Sequence, residues 1–153
     1  MSTKDRTLRG KVAIAGIGET KYYKHGKAPD SEFSLALQAI LRACEDAGID
    51  PRQVDGFSSY SNDRNDPSRL AAALGLPALR FSNMQWGGGG GGGSAAVGNA
   101  AAAVAGGLAD CVIVFRSLTA RFVIVLLVRN LLFLGLSTAV ACHLARHRRP
   151  NGA

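Results

Sequence analysis

The sequence predicts an α/β protein with a mostly parallel sheet covered by helices, one of them central and rich in alanine. Short apolar runs containing β-branched residues alternate with longer segments of helical periodicity. Glycine or proline stands at most of the boundaries between them. Residues 87–93 are all glycine and join a strand-like stretch to the alanine-rich segment. With 153 residues, the chain has the length of one domain.

The first elements are a strand and a helix. Residues 11–17 (KVAIAGI) are apolar and partly β-branched, which predicts a buried strand. Asp30 or Ser31 can cap a helix that continues to about Ala47, because apolar residues recur there at helical spacing. Gly48 supplies the stop signal.

Two further strands and a short helix follow. Residues 56–61 and 79–84 are strand-like, while Asp66 and Pro67 can begin a short helix that ends at Gly75. The order of elements up to this point alternates strand and helix. Such alternation is typical of a parallel sheet with helices on its faces.

The alanine-rich helix is predicted over residues 94–105, before a strand over residues 111–115 (CVIVF). Its small side chains allow neighbouring layers to approach closely, as in a helix sandwiched inside a protein. The alternative is a flexible, low-complexity segment of glycine and alanine. The apolar strand that follows immediately favours an ordered helix.

The end of the chain differs in composition from the rest. The formal net charge is +7, of which residues 111–153 contribute +6 through six arginines and no acidic residue. Residues 122–142 are mostly apolar and have the length of a bilayer span. Arg129 near their middle would cost on the order of 2.5–3.5 kcal/mol in a membrane. The apolar neighbours could offset that cost, so a membrane-associated helix stays open. We favour a reading frame disrupted near Arg121, because arginine-rich sequence without lysine or acidic residues is typical of an out-of-frame GC-rich stretch.

Residues 9–118 are accordingly predicted to form the domain, and residues 119–153 a divergent tail. No nucleic-acid partner is predicted, because the basic cluster at residues 146–149 has no interleaved aromatic residues. The absence of an apolar segment in residues 1–11 predicts a cytoplasmic protein. No metal site is predicted, since the histidines lack ligand spacing with the cysteines. We expect the cysteines to be buried thiols in a reducing compartment: Cys44, Cys111 and Cys142.

The region around the glycine run resembles thiolases. Gly93-Ser94, Gly106-Gly107 and the stretch ADCV at residues 109–112 are similar to the central helix and following strand of that family. The opening KVAIAGIGET and the later EDAGID and VDGF are similar to its start, above all to the sterol-carrier-protein-x and lipid-transfer branch. The resemblance covers about residues 9–118, which implies a truncated, thiolase-like amino-terminal half-domain.

The resemblance also implies where the active site lies. Thiolases carry an acyl-accepting cysteine before this helix, whose amino terminus favours the thiolate, and that position falls on Gly90. Glycine cannot act as a nucleophile, so no catalytic residue is assigned. Ser94 is expected to cap the helix or line the loop, since no histidine lies near it in sequence. The expected substrate-binding residues are Gly90, Gly91, Gly92, Gly93 and Ser94.

Cysteine-free relatives of this branch resemble retro-aldolases that shorten steroid side-chain acyl-CoA thioesters with a small OB-fold partner. The glycine loop and residues 114–118 (VFRSL) fit that branch. The implied function is a lipid-transfer or acyl-CoA acyltransferase-family protein with carbon–carbon bond chemistry on acyl-CoA and no other cofactor. A homodimer or a hetero-oligomer is implied. Whether the chain is an enzyme stays open, and alone we expect it to be inactive.

Two other functions stay open from the sequence. A non-catalytic assembly or membrane-associated module would use an exposed sheet and the apolar tail. A nucleotide-binding domain would use residues 87–93, although any glycine run satisfies the G-x-G-x-x-G pattern. The nearest acidic residue after the loop, Asp110, precedes its strand instead of following it, which disfavours nucleotide binding.

Overall fold

The computed structural model describes residues 8, 10–24, 27–87, 89–118 and 123–130. Within them the chain forms five strands, three helices and two 3₁₀ turns. The strands and helices are, in order, β1 (Val12–Glu19), α1 (Glu32–Ala47), β2 (Gly56–Tyr60), α2 (Pro67–Leu74), β3 (Phe81–Gln85), α3 (Gly92–Ala105), β4 (Cys111–Ser117) and β5 (Val123–Asn130). The α/β class and the predicted order of elements up to β4 are confirmed.

The five strands form one mixed sheet in the order β1-β5-β4-β2-β3. β2 pairs in parallel with both β3 and β4. β5 pairs antiparallel with both β1 and β4 and separates them. The sheet is therefore less parallel than the sequence predicted, because one strand that was not predicted lies inside it.

β5 consists of residues that the sequence analysis placed in the divergent tail. Val125, Leu127 and Val128 in this strand are fully or almost fully buried. Residues 131–142, the rest of the predicted apolar segment, lie outside the described residues. In the part of the chain that the structure describes, no helix is both long and apolar enough to cross a bilayer. The domain boundary at residue 118 and the disrupted reading frame stay predictions.

Local capping signals set the bounds of α1 and α2. The hydroxyl of Ser31 accepts a hydrogen bond of 3.1 Å from the backbone N–H three residues later. The carboxylate of Asp66 does the same at 2.8 Å from the N–H two residues later. Both helices end in a glycine with a left-handed backbone, Gly48 at φ 66° and Gly75 at φ 67°. These caps confirm the predicted helix starts and stops.

The helices cover the two faces of the sheet. On one face α1 and Leu70 of α2 pack over Phe57 and Phe115, whose rings meet edge to face with centroids 6.0 Å apart. On the other face the alanines of α3 pack on Val112 and Val114. Among the described residues the sheet thus lies between two helical layers, and α3 forms one of them, with Gly98 and Ala102 exposed on its other side.

Candidate functional site

The glycine loop lies at the carboxyl edge of the parallel strands. β3 ends at Gln85 and α3 begins at Gly92, so the loop connects that strand end directly to the helix. β2 and β4 run in the same direction as β3 and end at the same edge, at Tyr60 and Ser117. Ligand sites of α/β proteins occur at this edge, where helix amino termini meet strand ends.

The helix begins inside the glycine run, two residues before the predicted start. Gly91 occupies the N-cap position, and no side chain caps the helix. Ser94 is the third residue of α3 and is exposed. Ser94 therefore does not cap the helix, because the preceding glycines already adopt helical geometry, and its alternative role in lining the loop stays a prediction. A 3₁₀ turn over Gly89–Gly91 leads directly into α3. The amino terminus of a helix carries partial positive charge, which suits an anionic oxygen.

Tyr60, at the end of β2, supports the first turn of α3. A side-chain Cβ built on Gly92 would lie 2.7 Å from Cδ2 of the Tyr60 ring, and one on Gly93 would lie 3.6 Å from Cζ. Glycine at position 92 therefore lets the ring pack against the helix backbone. A Cβ on Gly90 or Gly91 would meet nothing within 4 Å. Packing does not require glycine at position 90, so this part of the loop has room for a side chain or a ligand.

Arg116, near the end of β4, rests on the same tyrosine. Its guanidinium carbon lies 4.9 Å from the centroid of the Tyr60 ring, within cation–π range. One Nη donates a long hydrogen bond of 3.5 Å to the side-chain oxygen of Asn62. The next residue, Ser117, is held by a 2.7 Å bond from its N–H to the Asp63 carboxylate. The pairing of Arg116 with Tyr60 was missed by sequence reasoning, which used the VFRSL stretch only as a sign of the cysteine-free branch.

A cleft of about 350 Å³ lies at the same end of the sheet and was also missed. Asp63 in this cleft accepts hydrogen bonds of 2.8 and 3.0 Å from the backbone and side chain of Asn65. Its carboxylate is therefore engaged in holding the loop after β2. The described residues contain no cluster of three or more His, Cys, Asp or Glu able to hold a metal. The cleft is lined by Ser59, Asp63, Arg64, Asn65, Asp66, Pro67, Ser82, Asn83 and Met84.

The two described cysteines lie in the core, away from the loop. Burial raises the pKa of the Cys44 thiol to about 11, and the nearby Asp50 charge adds to the effect. Burial also raises the pKa of Cys111 to about 12, although Arg129 opposes the rise. Both thiols are neutral at physiological pH, and neither can replace a nucleophile at the glycine loop. The prediction of buried thiols is confirmed for these two; Cys142 lies outside the described residues.

These pKa values predict inert thiols in the folded protein. In a Cys142→Ser variant at pH 8, we expect neither cysteine to react with a disulfide reagent within minutes, because a raised pKa keeps the thiol protonated until far higher pH. Both should react once the chain is unfolded in denaturant. Absorbance of the released thiolate measures the reaction, and rapid labelling of the folded variant would contradict the described core.

Comparison with known proteins agrees with a thiolase-like fold. No protein-family model matches the chain. It is 41% identical over 115 residues to the 17-hydroxy-3-oxo-4-pregnene-20-carboxyl-CoA lyase of Mycobacterium tuberculosis, with 74% of this chain and 29% of that protein covered. It is 39% identical over 114 residues to a steroid side-chain-cleaving aldolase of Thermomonospora curvata, with 74% and 28% covered. The chain thus spans less than a third of the length of these relatives.

Similar solved structures also have a thiolase-like fold. The Ltp2-ChsH2(DUF35) aldolase superposes with a TM-score of 0.67 at 38% identity, over 74% of this chain and 29% of that one. The priming β-ketosynthase of the R1128 polyketide pathway shares only the fold, at a TM-score of 0.62 and 16% identity over 78% of this chain and 50% of that one. The thiolase-like fold is therefore established, and steroid side-chain aldolases are among the homologues of the chain.

Proposed function

We propose that this chain forms the amino-terminal part of a thiolase-fold aldolase that acts on a carbon–carbon bond of an acyl-CoA thioester. The observation that carries the proposal is the glycine loop, which offers backbone N–H groups and open space at Gly90 but no thiol. Acyl transfer through a cysteine needs a nucleophile there, whereas an aldol cleavage does not. The names of the relatives, a lyase and an aldolase, support the same chemistry.

In this proposal, the chain's contribution is electrostatic. In such a cleavage the β-hydroxyl loses its proton to a general base, and its carbon becomes a carbonyl as the bond between the α- and β-carbons breaks. The electron pair of that bond moves onto the thioester as an enolate, which then takes up a proton at the α-carbon. The negative charge develops on the thioester oxygen. An oxygen placed beside Gly90–Gly93 would be stabilised by the positive end of α3 and by nearby backbone amides. Gly90 and Gly91 are exposed there, as is Ser94, the third residue of α3.

We further propose that the chain works in a hetero-oligomer. The similar solved aldolase is described as a complex of Ltp2 with the DUF35 protein ChsH2. A DUF35-type protein would fill the role of the small OB-fold partner inferred above. A homodimer of this chain is compatible with the same assembly. The sterol-carrier branch, the position of the missing cysteine and the cytoplasmic location belong to this proposal as well.

The test uses the purified chain with and without ChsH2 from the solved complex. Calorimetry measures binding of 17-hydroxy-3-oxo-4-pregnene-20-carboxyl-CoA, and mass spectrometry measures its cleavage. We expect the thioester to bind and the chain alone to show little or no turnover, because it spans 29% of the lyase. Thiolysis of acetoacetyl-CoA at a thiolase-like rate would contradict an aldolase. Failure to bind the thioester with and without ChsH2 would contradict an acyl-CoA site.

Restoring a thiol tests the helix amino terminus directly. In a Cys142→Ser background, we expect Gly90→Cys to be alkylated by iodoacetamide about threefold to tenfold faster at neutral pH than Gly98→Cys. Both positions have open space for a side chain, but Gly98 lies in the middle of α3, away from the first-turn amides. Quenched time points and mass spectrometry give the rates. Equal rates would show that the loop does not stabilise an anion.

A further inference from the structure

Arg116 differs in its partners from Arg80 and Arg52, two described arginines that form ion pairs. Arg80 forms ion pairs with Asp55 at 3.2 Å and Asp110 at 2.9 Å, and Arg52 pairs with Asp50 at 2.6 Å. Among the described residues, by contrast, Arg116 has no carboxylate within ion-pair distance, and its Nε is buried without a hydrogen-bond acceptor. Its one hydrogen bond there, to Asn62, is at the 3.5 Å limit.

The position of Arg116 is fixed by the fold. Its backbone belongs to β4, which continues through Ser117, and the Ser117 hydroxyl donates a 2.6 Å hydrogen bond to the backbone oxygen of Glu32. Its guanidinium is held over the Tyr60 ring, and that ring also contacts the backbone at Gly92. A cation–π contact orients a guanidinium and leaves its charge unneutralised. Arg116 is therefore a positioned cation that lies against the same tyrosine as the first turn of α3, and no carboxylate of the described residues pairs with it.

We propose that Arg116, held on the ring of Tyr60, binds an anionic oxygen of the acyl-CoA ligand at the glycine loop. The identity of the ligand as an acyl-CoA rests on the proposed function. The presence of an anion-binding site at Arg116 does not depend on it. Guanidinium recognises phosphate and carboxylate-like oxygens through paired N–H donors. Two parts of an acyl-CoA carry such oxygens: the phosphates of the carrier, and the thioester oxygen as its charge develops.

The experiment compares three probes by calorimetry on the full chain: acetoacetyl-CoA, acetoacetyl-pantetheine, which lacks phosphates, and inorganic pyrophosphate. Loss of one charge-assisted contact weakens binding by about tenfold or more. We expect Arg116→Gln to weaken acetoacetyl-CoA binding by that factor, and Arg116→Lys, which keeps the charge but not the planar contact, to weaken it less. An equal loss for the pantetheine ester assigns the contact to the thioester oxygen. A loss for acetoacetyl-CoA and pyrophosphate only assigns it to phosphate.

Two controls separate the outcomes. Arg52→Gln removes the same charge from an exposed, already paired arginine and should leave all affinities within about twofold. Wild-type-like acetoacetyl-CoA binding by Arg116→Gln, or an equal loss in Arg52→Gln, would overturn the proposal. If the wild type binds pyrophosphate through Arg116 but neither thioester, the anion site stands and the acyl-CoA function fails. If it binds none of the probes, both fail.

Discussion

Replacing Gly18 by alanine is expected to destabilise the folded protein by about 3 kcal/mol. An added Cβ would overlap the backbone oxygen of Ala39 and would lie 2.5 Å from the backbone nitrogen of Ala43. Both atoms belong to α1, and a helix backbone cannot rotate aside as a side chain can. Relief would require α1 to move off β1, which would loosen the packing around Ile40. Urea unfolding followed by circular dichroism measures the loss.

The control for Gly18→Ala is the same change at Gly98. A Cβ on Gly98 would meet nothing within 4 Å, and the residue lies in the interior of α3. Alanine there should stabilise the protein by about 0.5–1 kcal/mol, because it lowers the backbone entropy of the unfolded chain. Opposite signs at the two sites are the expected result. A loss below about 0.5 kcal/mol at Gly18 would show that α1 is not packed against β1 as described.

The sequence predicts the elements whose signals are local. Ser31 and Gly48 delimit α1, and Asp66 and Gly75 delimit α2, because each cap is decided within four residues of chain. The apolar run before Phe115 is likewise recognised as a strand on its own. For these elements the tertiary structure agrees with the local preference. The resemblance to thiolases adds the prediction that these elements belong to one half-domain over residues 9–118.

Long-range pairing determines what the sequence does not predict. The run VIVLLV in β5 is apolar on both sides, so periodicity cannot distinguish a buried strand from a helix. This run is a strand because it pairs on one side with β1, which lies far away in the sequence, and on the other side with β4, which comes shortly before it. The start of α3 was predicted late for a different reason: glycine carries no helix-start signal in its side chain.

The candidate site, like the fold, has parts that the sequence predicts and parts that it does not. The glycine run and its place before a helix are visible in the sequence, but the neighbours of the loop are not. Arg116 and Tyr60 are 56 positions apart and meet only because β2 and β4 pair in parallel and end together. No local motif predicts such a contact. Side chains at parallel strand ends are therefore the residues that a single sequence is least able to identify.

Replacing Asp55 by alanine is expected to cost about 3 kcal/mol of folding stability. The side chain is 14% exposed and pairs with Arg80 at 3.2 Å. Its carboxylate also accepts hydrogen bonds from the backbone N–H groups of Asp110, at 3.0 Å, and Cys111, at 2.8 Å. Alanine would leave both N–H groups without an acceptor at the start of β4. Thermal and urea unfolding of the variant measure the loss.

Two companion variants separate the charge of Asp55 from its backbone bonds. Asp55→Asn keeps one acceptor oxygen, so its cost should be smaller than that of alanine. Arg80→Gln removes the ion pairs and a 3.1 Å hydrogen bond to the Gly107 backbone oxygen from a side chain that is 45% exposed, and should cost least, below about 1 kcal/mol. If Arg80→Gln costs as much as Asp55→Ala, the ion pairs rather than the backbone bonds hold β4. Because Asp55 lies at the amino end of β2, opposite the glycine loop, each variant that stays folded should bind acetoacetyl-CoA as the wild type does.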